Sequence, residues 1–131
     1  MTTVLVIDDN AMNRKLACDV LEAAGFRTVE AATAAEGIAH ATERAPDLIL
    51  LDLRLPDMPG VEVARRLRGD DRAPRFPIVA MSALALEEHG EWLEAAGFAG
   101  YLDKPIQVST FPEQVRRFCT GPEGGPTAAP C

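Results

Sequence analysis

The stretch Val4-Leu5-Val6-Ile7-Asp8-Asp9-Asn10 (VLVIDDN) joins four consecutive apolar residues to two adjacent carboxylates and an amide. A continuous apolar run, without polar alternation, is typical of a strand that helices cover on both faces, as in a parallel sheet. Two neighbouring carboxylates at the end of such a strand repel each other unless a cation or another partner joins them. The stretch therefore predicts a buried first strand that ends at an acidic functional site.

Short apolar runs of this kind recur along the chain and alternate with longer segments of helical periodicity. The predicted strands are 4–7, 28–31, 48–51, 78–81 and 101–102. The pattern gives five βα units, and right-handed crossovers place their helices on both faces of the sheet. The sequence thus predicts a doubly wound α/β domain.

The helix boundaries are predicted from capping residues. Asn10 can cap the first helix and Gly25 can end it. The apolar positions of this helix recur at helical spacing and are Leu16, Ala17, Val20, Leu21 and Ala24. Capping boxes at 33–36 (TAAE) and 110–113 (TFPE) predict the starts of the second and fifth helices. The third helix is predicted at about 60–67 and the fourth at about 86–96.

Length, composition and charge indicate one globular domain. The chain has 131 residues, of which 47% are hydrophobic and 25% charged, and its net charge of −7 argues against nucleic-acid binding. No segment has the roughly 20 apolar residues that span a bilayer, so we expect a cytoplasmic protein without membrane insertion. We expect the domain to cover residues 1–119, and the Gly/Pro-rich residues 120–131 to form a flexible tail.

Polar residues stand where the predicted strands end. Asp8 and Asp9 follow the first strand, Asp52 follows the third, Ser82 the fourth and Lys104 the fifth. In an open parallel sheet the ligand site lies beyond the carboxyl ends of the strands. Three carboxylates at one edge suit a hard cation, Mg²⁺ or Mn²⁺, and the lysine adds a positive charge for an anionic oxygen.

Four motifs contain these strand-end residues: IDDN (7–10), LILLDLRLPDMPG (48–60), VAMSA (79–83) and YLDKPI (101–106). They resemble the diagnostic motifs of the receiver domain of two-component response regulators, the CheY-like superfamily. The resemblance covers about residues 3–118 and implies a flavodoxin-like (βα)5 three-layer sandwich, with a five-stranded parallel sheet of order 2-1-3-4-5. The segments 10–26 and 103–111 are more similar to single-domain cell-cycle receivers of the DivK type than to chemotaxis receivers.

The resemblance implies a role for each residue at the strand ends. Asp52 is the expected phosphoacceptor, which attacks the phosphohistidine of a histidine kinase or a histidine phosphotransfer protein, or else a small phosphodonor. Asp9 is expected to bind Mg²⁺ directly and Asp8 mainly through water or by supporting Asp9. The backbone carbonyl of Arg54 is expected to join Asp52 as a ligand. Lys104 and the metal are expected to hold the phosphoryl oxygens.

The resemblance also implies a conformational switch. Ser82 is expected to bind a phosphoryl oxygen, and Tyr101 to rotate toward the space that Ser82 leaves, although a half-buried strand aromatic explains Tyr101 nearly as well. The Lys104–Pro105 bond is expected to be cis. The downstream protein is expected to bind the face formed by the fourth helix, the fifth strand and the fifth helix.

Oligomeric state and enzymatic activity are also predicted. Glutamates of the fourth helix can face Arg116 and Arg117 of another copy, but exposed ion pairs contribute little, so we expect a monomer or a weak dimer. We do not expect an enzyme, because a receiver catalyses only its own phosphorylation and dephosphorylation.

Two alternatives to a stand-alone regulator without DNA-binding output stay open. The chain can be the N-terminal receiver of a larger response regulator or hybrid kinase, with the Gly/Pro-rich tail as its linker. It can also be a magnesium phosphohydrolase with an aspartate nucleophile, although it lacks a cap insertion and a second acid placed suitably beyond Asp52. Nucleotide-binding motifs of the GxxxxGK[ST] or GxGxxG type are absent after the first strand.

Overall fold

The continuous apolar runs form the strands of one sheet in the computed structural model, which describes residues 2–44, 46–53, 55–69, 77–82, 98, 100–103 and 108–124. The elements in these ranges are β1 (Thr3–Ile7), α1 (Ala11–Ala23), β2 (Arg27–Ala31), α2 (Ala34–Arg44), β3 (Leu48–Asp52), α3 (Gly60–Gly69), β4 (Ile78–Ser82), β5 (Gly100–Asp103) and α4 (Phe111–Gly124). The helix predicted at 86–96 lies outside the described residues, so α4 is the helix predicted as the fifth.

The five strands are all parallel and have the order β2-β1-β3-β4-β5, which confirms the predicted order. Ile7 of β1 is paired with Leu51 of β3, so that Asp8 and Asp52 follow at the same level. β2 pairs with one edge of β1 and β3 with the other, so the strand order reverses beside β1, and ligands of such sheets bind at this switch point.

Alternate strand residues face two separate cores, because successive side chains of a strand point to opposite faces. Leu5, Ile7 and Leu51 belong to the core that α2 and α3 cover. Val4, Val6 and their neighbours in β3 and β4 belong to the core that α1 and α4 cover. The predicted three-layer sandwich is therefore confirmed for the described elements.

Helix α1 begins and ends where the sequence predicts. The Asn10 side chain accepts the N–H of Asn13 at 3.0 Å, and Gly25 ends the helix with φ of 100°. The N–H of Gly25 donates to Glu22 and that of Phe26 to Leu21, at 3.1 and 3.0 Å, which is the bonding pattern of a Schellman motif. The left-handed conformation explains why a glycine stands at this position.

Two helix predictions need correction. Leu16 was expected on the apolar face of α1, yet it is 38% exposed, because the buried stripe runs through Ala17, Cys18 and Leu21 and leaves Leu16 at its margin. Helix α4 continues to Gly124 and so includes the first residues of the predicted tail. The domain boundary stays a prediction.

Arg116 of α4 has partners within the chain. It donates to the carbonyl of Ala24 at 3.0 Å, lies 5.5 Å from the centre of the Phe26 ring and 3.7 Å from the Glu113 carboxylate. These contacts join α4 to the turn between α1 and β2. The glutamates predicted to face Arg116 in another copy lie outside the described residues.

Candidate functional site

Three carboxylates meet at the carboxyl edge of the sheet. Ligand atoms of Asp8, Asp9 and Asp52 all lie within 4.8 Å of one another. Asp8 and Asp52 are 1% and 7% exposed, whereas Asp9 is open to solvent. The structure thus brings together the three acidic residues that the sequence singled out, although 43 positions separate Asp9 from Asp52.

Asp8 is held by hydrogen bonds to both its backbone and its side chain. Its N–H donates to the carbonyl of Ala31 at 3.0 Å, which extends the β1–β2 ladder by one residue. Its carboxylate accepts the N–H of Asn10 at 2.9 Å, and its carbonyl accepts an N–H of Arg14 at 2.8 Å. The turn after β1 is therefore fixed on both sides of the Asp8 side chain.

Arg14 is a contributor that sequence reasoning missed. Its Nη1 donates to Asp8 and its Nε donates to the Glu30 carboxylate at 3.0 Å, so that one guanidinium joins the β1 end to β2. From the sequence alone, a single arginine on a helix is interpreted as a solvent-exposed charge. The available signal was its position four residues after the helix cap Asn10, in the turn of α1 nearest the strand end.

The backbone that follows Asp52 returns to the end of β3 at Gly60. The N–H of Gly60 donates to the carbonyl of Leu53 at 3.0 Å. A Cβ atom at Gly60 would lie 2.8 Å from the Asp52 carbonyl oxygen and 2.8 Å from the Leu53 Cα atom. Only a glycine allows this approach, so the start of α3 packs directly on the end of β3.

Asp57 joins the segment between β3 and α3 to α2. Its carboxylate oxygens accept the N–H groups of Ala34 at 2.9 Å and Ala35 at 3.0 Å. The hydrogen bond from Ala34 is the largest cause that lowers the pKa of Asp57, and the bond from Ala35 acts in the same direction. The sequence predicted the start of α2 from its own capping box and did not indicate this second cap.

The remaining predicted site residues are placed only in part. Ser82 is the last residue of β4, at the carboxyl edge of the sheet. Tyr101 lies in β5 opposite Ala80, two residues before the level of Ser82. Arg54, Lys104 and Pro105 lie outside the described residues. The carbonyl ligand, the lysine contact, the cis bond and the movement of Tyr101 stay predictions.

The acidic cluster fits a hard divalent cation. It offers only carboxylate oxygens, the donors that Mg²⁺ and Mn²⁺ prefer, and contains neither His nor Cys. Two of the three carboxylates are buried, and like charges at this distance oppose one another unless a cation neutralises them. The arrangement can hold a metal beside Asp52.

Within the described part of the chain, no helix combines the length and the apolar character that a membrane crossing requires.

Comparison with known proteins gives consistent results. The family model of the response regulator receiver domain matches residues 4–116. The polar-differentiation response regulator DivK of Brucella anthropi is 35% identical over 116 residues, which cover 88% of this chain and 94% of DivK. The chemotaxis response regulator CheY4 of Vibrio cholerae superposes with a TM-score of 0.83 at 28% identity, over 90% of this chain and 98% of CheY4. A CheY-like receiver domain protein of Methanospirillum hungatei gives 0.80 at 26% identity, over 91% and 94%.

Proposed function

This chain belongs to the response regulator receiver domain family, and from that premise we propose that Asp52 accepts a phosphoryl group in a two-component or phosphorelay system. The observation that carries the proposal is the acidic cluster, in which buried Asp52 has ligand atoms within 4.8 Å of those of Asp8 and Asp9. A nucleophile beside a cation-binding pair is the arrangement that transfer between two anionic groups requires.

The proposed reaction is a nucleophilic displacement at phosphorus. A carboxylate oxygen of Asp52 attacks the phosphorus of a phosphohistidine, the new P–O bond forms as the P–N bond breaks, and the imidazole leaves with the electron pair. Asp8, Asp9, Asp52 and the carbonyl of Arg54 would hold Mg²⁺, with Mn²⁺ as a substitute. When bound, the metal supplies positive charge that offsets the charge of the phosphoryl oxygens. The chain itself contributes position, because its rigid strand end fixes the nucleophile.

The other motif residues support the transfer and its readout in this proposal. Lys104 binds a phosphoryl oxygen as a point charge, and Ser82 donates a hydrogen bond to another after the transfer. Tyr101 then moves toward the space beside Ser82, and a cis bond before Pro105 places Lys104. The resemblance of the motifs to those of the family supports these proposed roles.

The proposed output is a shift between two conformations. The phosphoryl group adds about −1.5 to −2 charges, and it changes the populations only if one conformation binds it better than the other. A downstream protein would read the shift at the face of the predicted fourth helix, β5 and α4. The donor would be a histidine kinase or a histidine phosphotransfer protein, with which the chain would meet in the cytoplasm.

The similarity to DivK supports a stand-alone regulator, because the matched segment covers 94% of that protein. The other candidate is a receiver within a longer response regulator or hybrid kinase. Reading the gene beyond the codon of residue 131 distinguishes the two, since a stop codon there leaves no room for an output domain.

The test of the phosphoacceptor uses acetyl phosphate and Mg²⁺, with intact-mass measurement of the product. We expect the parent chain to gain one phosphoryl group, and Asp52→Asn or added EDTA to prevent the gain. Asp19→Asn is the matched control, because Asp19 is an exposed carboxylate of α1 outside the acidic cluster and should leave the gain intact. An undiminished adduct on Asp52→Asn overturns the assignment, and repeated turnover of small phosphate monoesters favours the phosphohydrolase alternative.

A further inference from the structure

Arg14 is held at both ends of its guanidinium between the acidic cluster and β2. Nη1 donates to the Asp8 carbonyl at 2.8 Å, and Nε donates to a Glu30 carboxylate oxygen at 3.0 Å. Only 18% of the Arg14 side chain is exposed, against 52% for Glu30 and 77% for Lys15, the next residue of the same helix. The planar guanidinium has donors at fixed angles, so two bonds determine its orientation.

We infer that Arg14 is a positioning residue, which fixes the turn after β1 in the conformation that binds the metal, and that Glu30 fixes Arg14 in turn. This inference rests on the proposed function, because it takes the acidic cluster as the Mg²⁺ site. Of the three hydrogen bonds described for Asp8, those with Ala31 and Asn10 use backbone N–H groups. The bond from Arg14 comes from a side chain and can therefore be removed by substitution.

Charge and position act in opposite directions at Arg14. A positive charge beside a cation site repels the cation, so the charge alone weakens Mg²⁺ binding. Positioning strengthens it, because a cluster already held in the binding conformation loses less entropy when the ion binds. The sign of the change on removing Arg14 therefore separates the two effects.

The experiment measures the Mg²⁺ dissociation constant of the full chain by calorimetry, without a phosphodonor. We expect Arg14→Ala to weaken binding by about 10-fold, at the lower end for groups that orient a metal ligand. Glu30→Gln should weaken it less than Arg14→Ala does, because Arg14 keeps its bond to Asp8. Lys15→Ala is the matched control, since it removes an exposed positive charge from the same helix and should leave the constant unchanged.

Two further variants test how Arg14 acts. Arg14→Lys keeps the charge but offers one compact ammonium in place of the fork, so its affinity should fall between those of the parent and Arg14→Ala. Glu30→Gln added to Arg14→Ala should produce no further loss, because Glu30 acts through Arg14 and the two effects are not additive.

The outcomes separate this inference from the function on which it rests. A parent chain that does not bind Mg²⁺ overturns the metal site and this inference together. If the parent binds Mg²⁺ and Arg14→Ala binds it equally or more tightly, the positioning role alone is overturned. Binding by Arg14→Lys that equals the parent's also overturns that role. If circular dichroism shows that Arg14→Ala is unfolded, the test uses Arg14→Lys and Glu30→Gln instead. Mg²⁺ dissociation constants equal to that of the parent in both variants overturn the positioning role.

Discussion

The Asp57 carboxylate caps α2 from another part of the chain. It accepts two N–H groups of the first helical turn, which have no partners within the helix, and it lies at the positive end of the helix dipole. Since Asp57 follows Asp52 by five residues, the same contact ties the turn beside the proposed phosphoacceptor to α2. A single residue thereby links the site to an element that contributes no metal ligand.

Replacement of Asp57 should change the pH dependence of stability. The folded-state pKa of Asp57 is lowered, so its contribution is present above the unfolded-state value of about 4 and is lost as pH falls through the folded-state value. We expect Asp57→Ala to lower the free energy of unfolding at neutral pH, and the difference from the parent to vanish in acid. Urea unfolding at a series of pH values measures this.

Asp19→Asn is the control for this measurement, because Asp19 is exposed and its ion pair with Lys15 at 3.2 Å contributes little. A stability difference between Asp57→Ala and the parent that is equally large at neutral and acid pH would show that the ionised carboxylate is not the cause.

At the scale of the elements, local signals place the starts of α1 and α2. In α2 the Thr33 hydroxyl accepts the N–H of Glu36 at 3.2 Å, as the capping box predicts. The Glu36 carboxylate accepts the N–H of Ala32 at 2.8 Å, one residue before the cap, whereas the predicted partner was the N–H of Thr33. The box therefore locates the helix start correctly, and the partner of the Glu36 carboxylate differs from the predicted one by one residue.

The end of α1 depends on the conformation of Gly25. The space around a Cβ atom at this position is open, with no atom within 4 Å, so the cost of a side chain is backbone strain and not a clash. We expect Gly25→Ala to lower the free energy of unfolding by about 1–2 kcal/mol, and Gly25→Asn to lower it less, because Asn tolerates the left-handed region better. Urea denaturation of both variants measures the difference, and equal stability of parent and Gly25→Ala contradicts it.

At the scale of the whole molecule, the acidic cluster should couple metal binding to stability. Without a metal, the repulsion among the three carboxylates, whose ligand atoms lie within 4.8 Å of one another, opposes folding. A bound cation stabilises the folded chain by RT ln(1 + [L]/Kd), where [L] is the free cation concentration, or by about 2.7 kcal/mol at 100 times Kd. We expect Mg²⁺ to raise the melting temperature and EDTA to reverse the rise.

Asp9→Asn should separate the repulsion among the carboxylates from the stabilisation by a bound cation. Removing one negative charge should raise the melting temperature of the metal-free protein and remove most of the Mg²⁺-dependent rise. Asp19→Asn again serves as the control, because it removes a carboxylate from the surface without touching the cluster. A Mg²⁺-dependent rise that persists in Asp9→Asn would place the cation elsewhere.

The sequence by itself determined the strands, the parallel sheet, the helix ends at Asn10 and Gly25 and the acidic residues at strand ends. These features depend on neighbours in the chain: apolar runs, capping residues and the rule that parallel strands end at one edge. The order of the strands came from the family resemblance and was confirmed by the structure.

Only the tertiary structure decided which other residues support the site. Arg14 meets Glu30 across 16 positions and Asp57 meets Ala34 across 23, and in the sequence each is an ordinary surface charge. Leu16 shows the converse, since its helical spacing fits a core and its exposure is decided by how α1 packs on the sheet. Local free energies specify the elements, whereas the partners of a charged side chain depend on which elements the fold brings together.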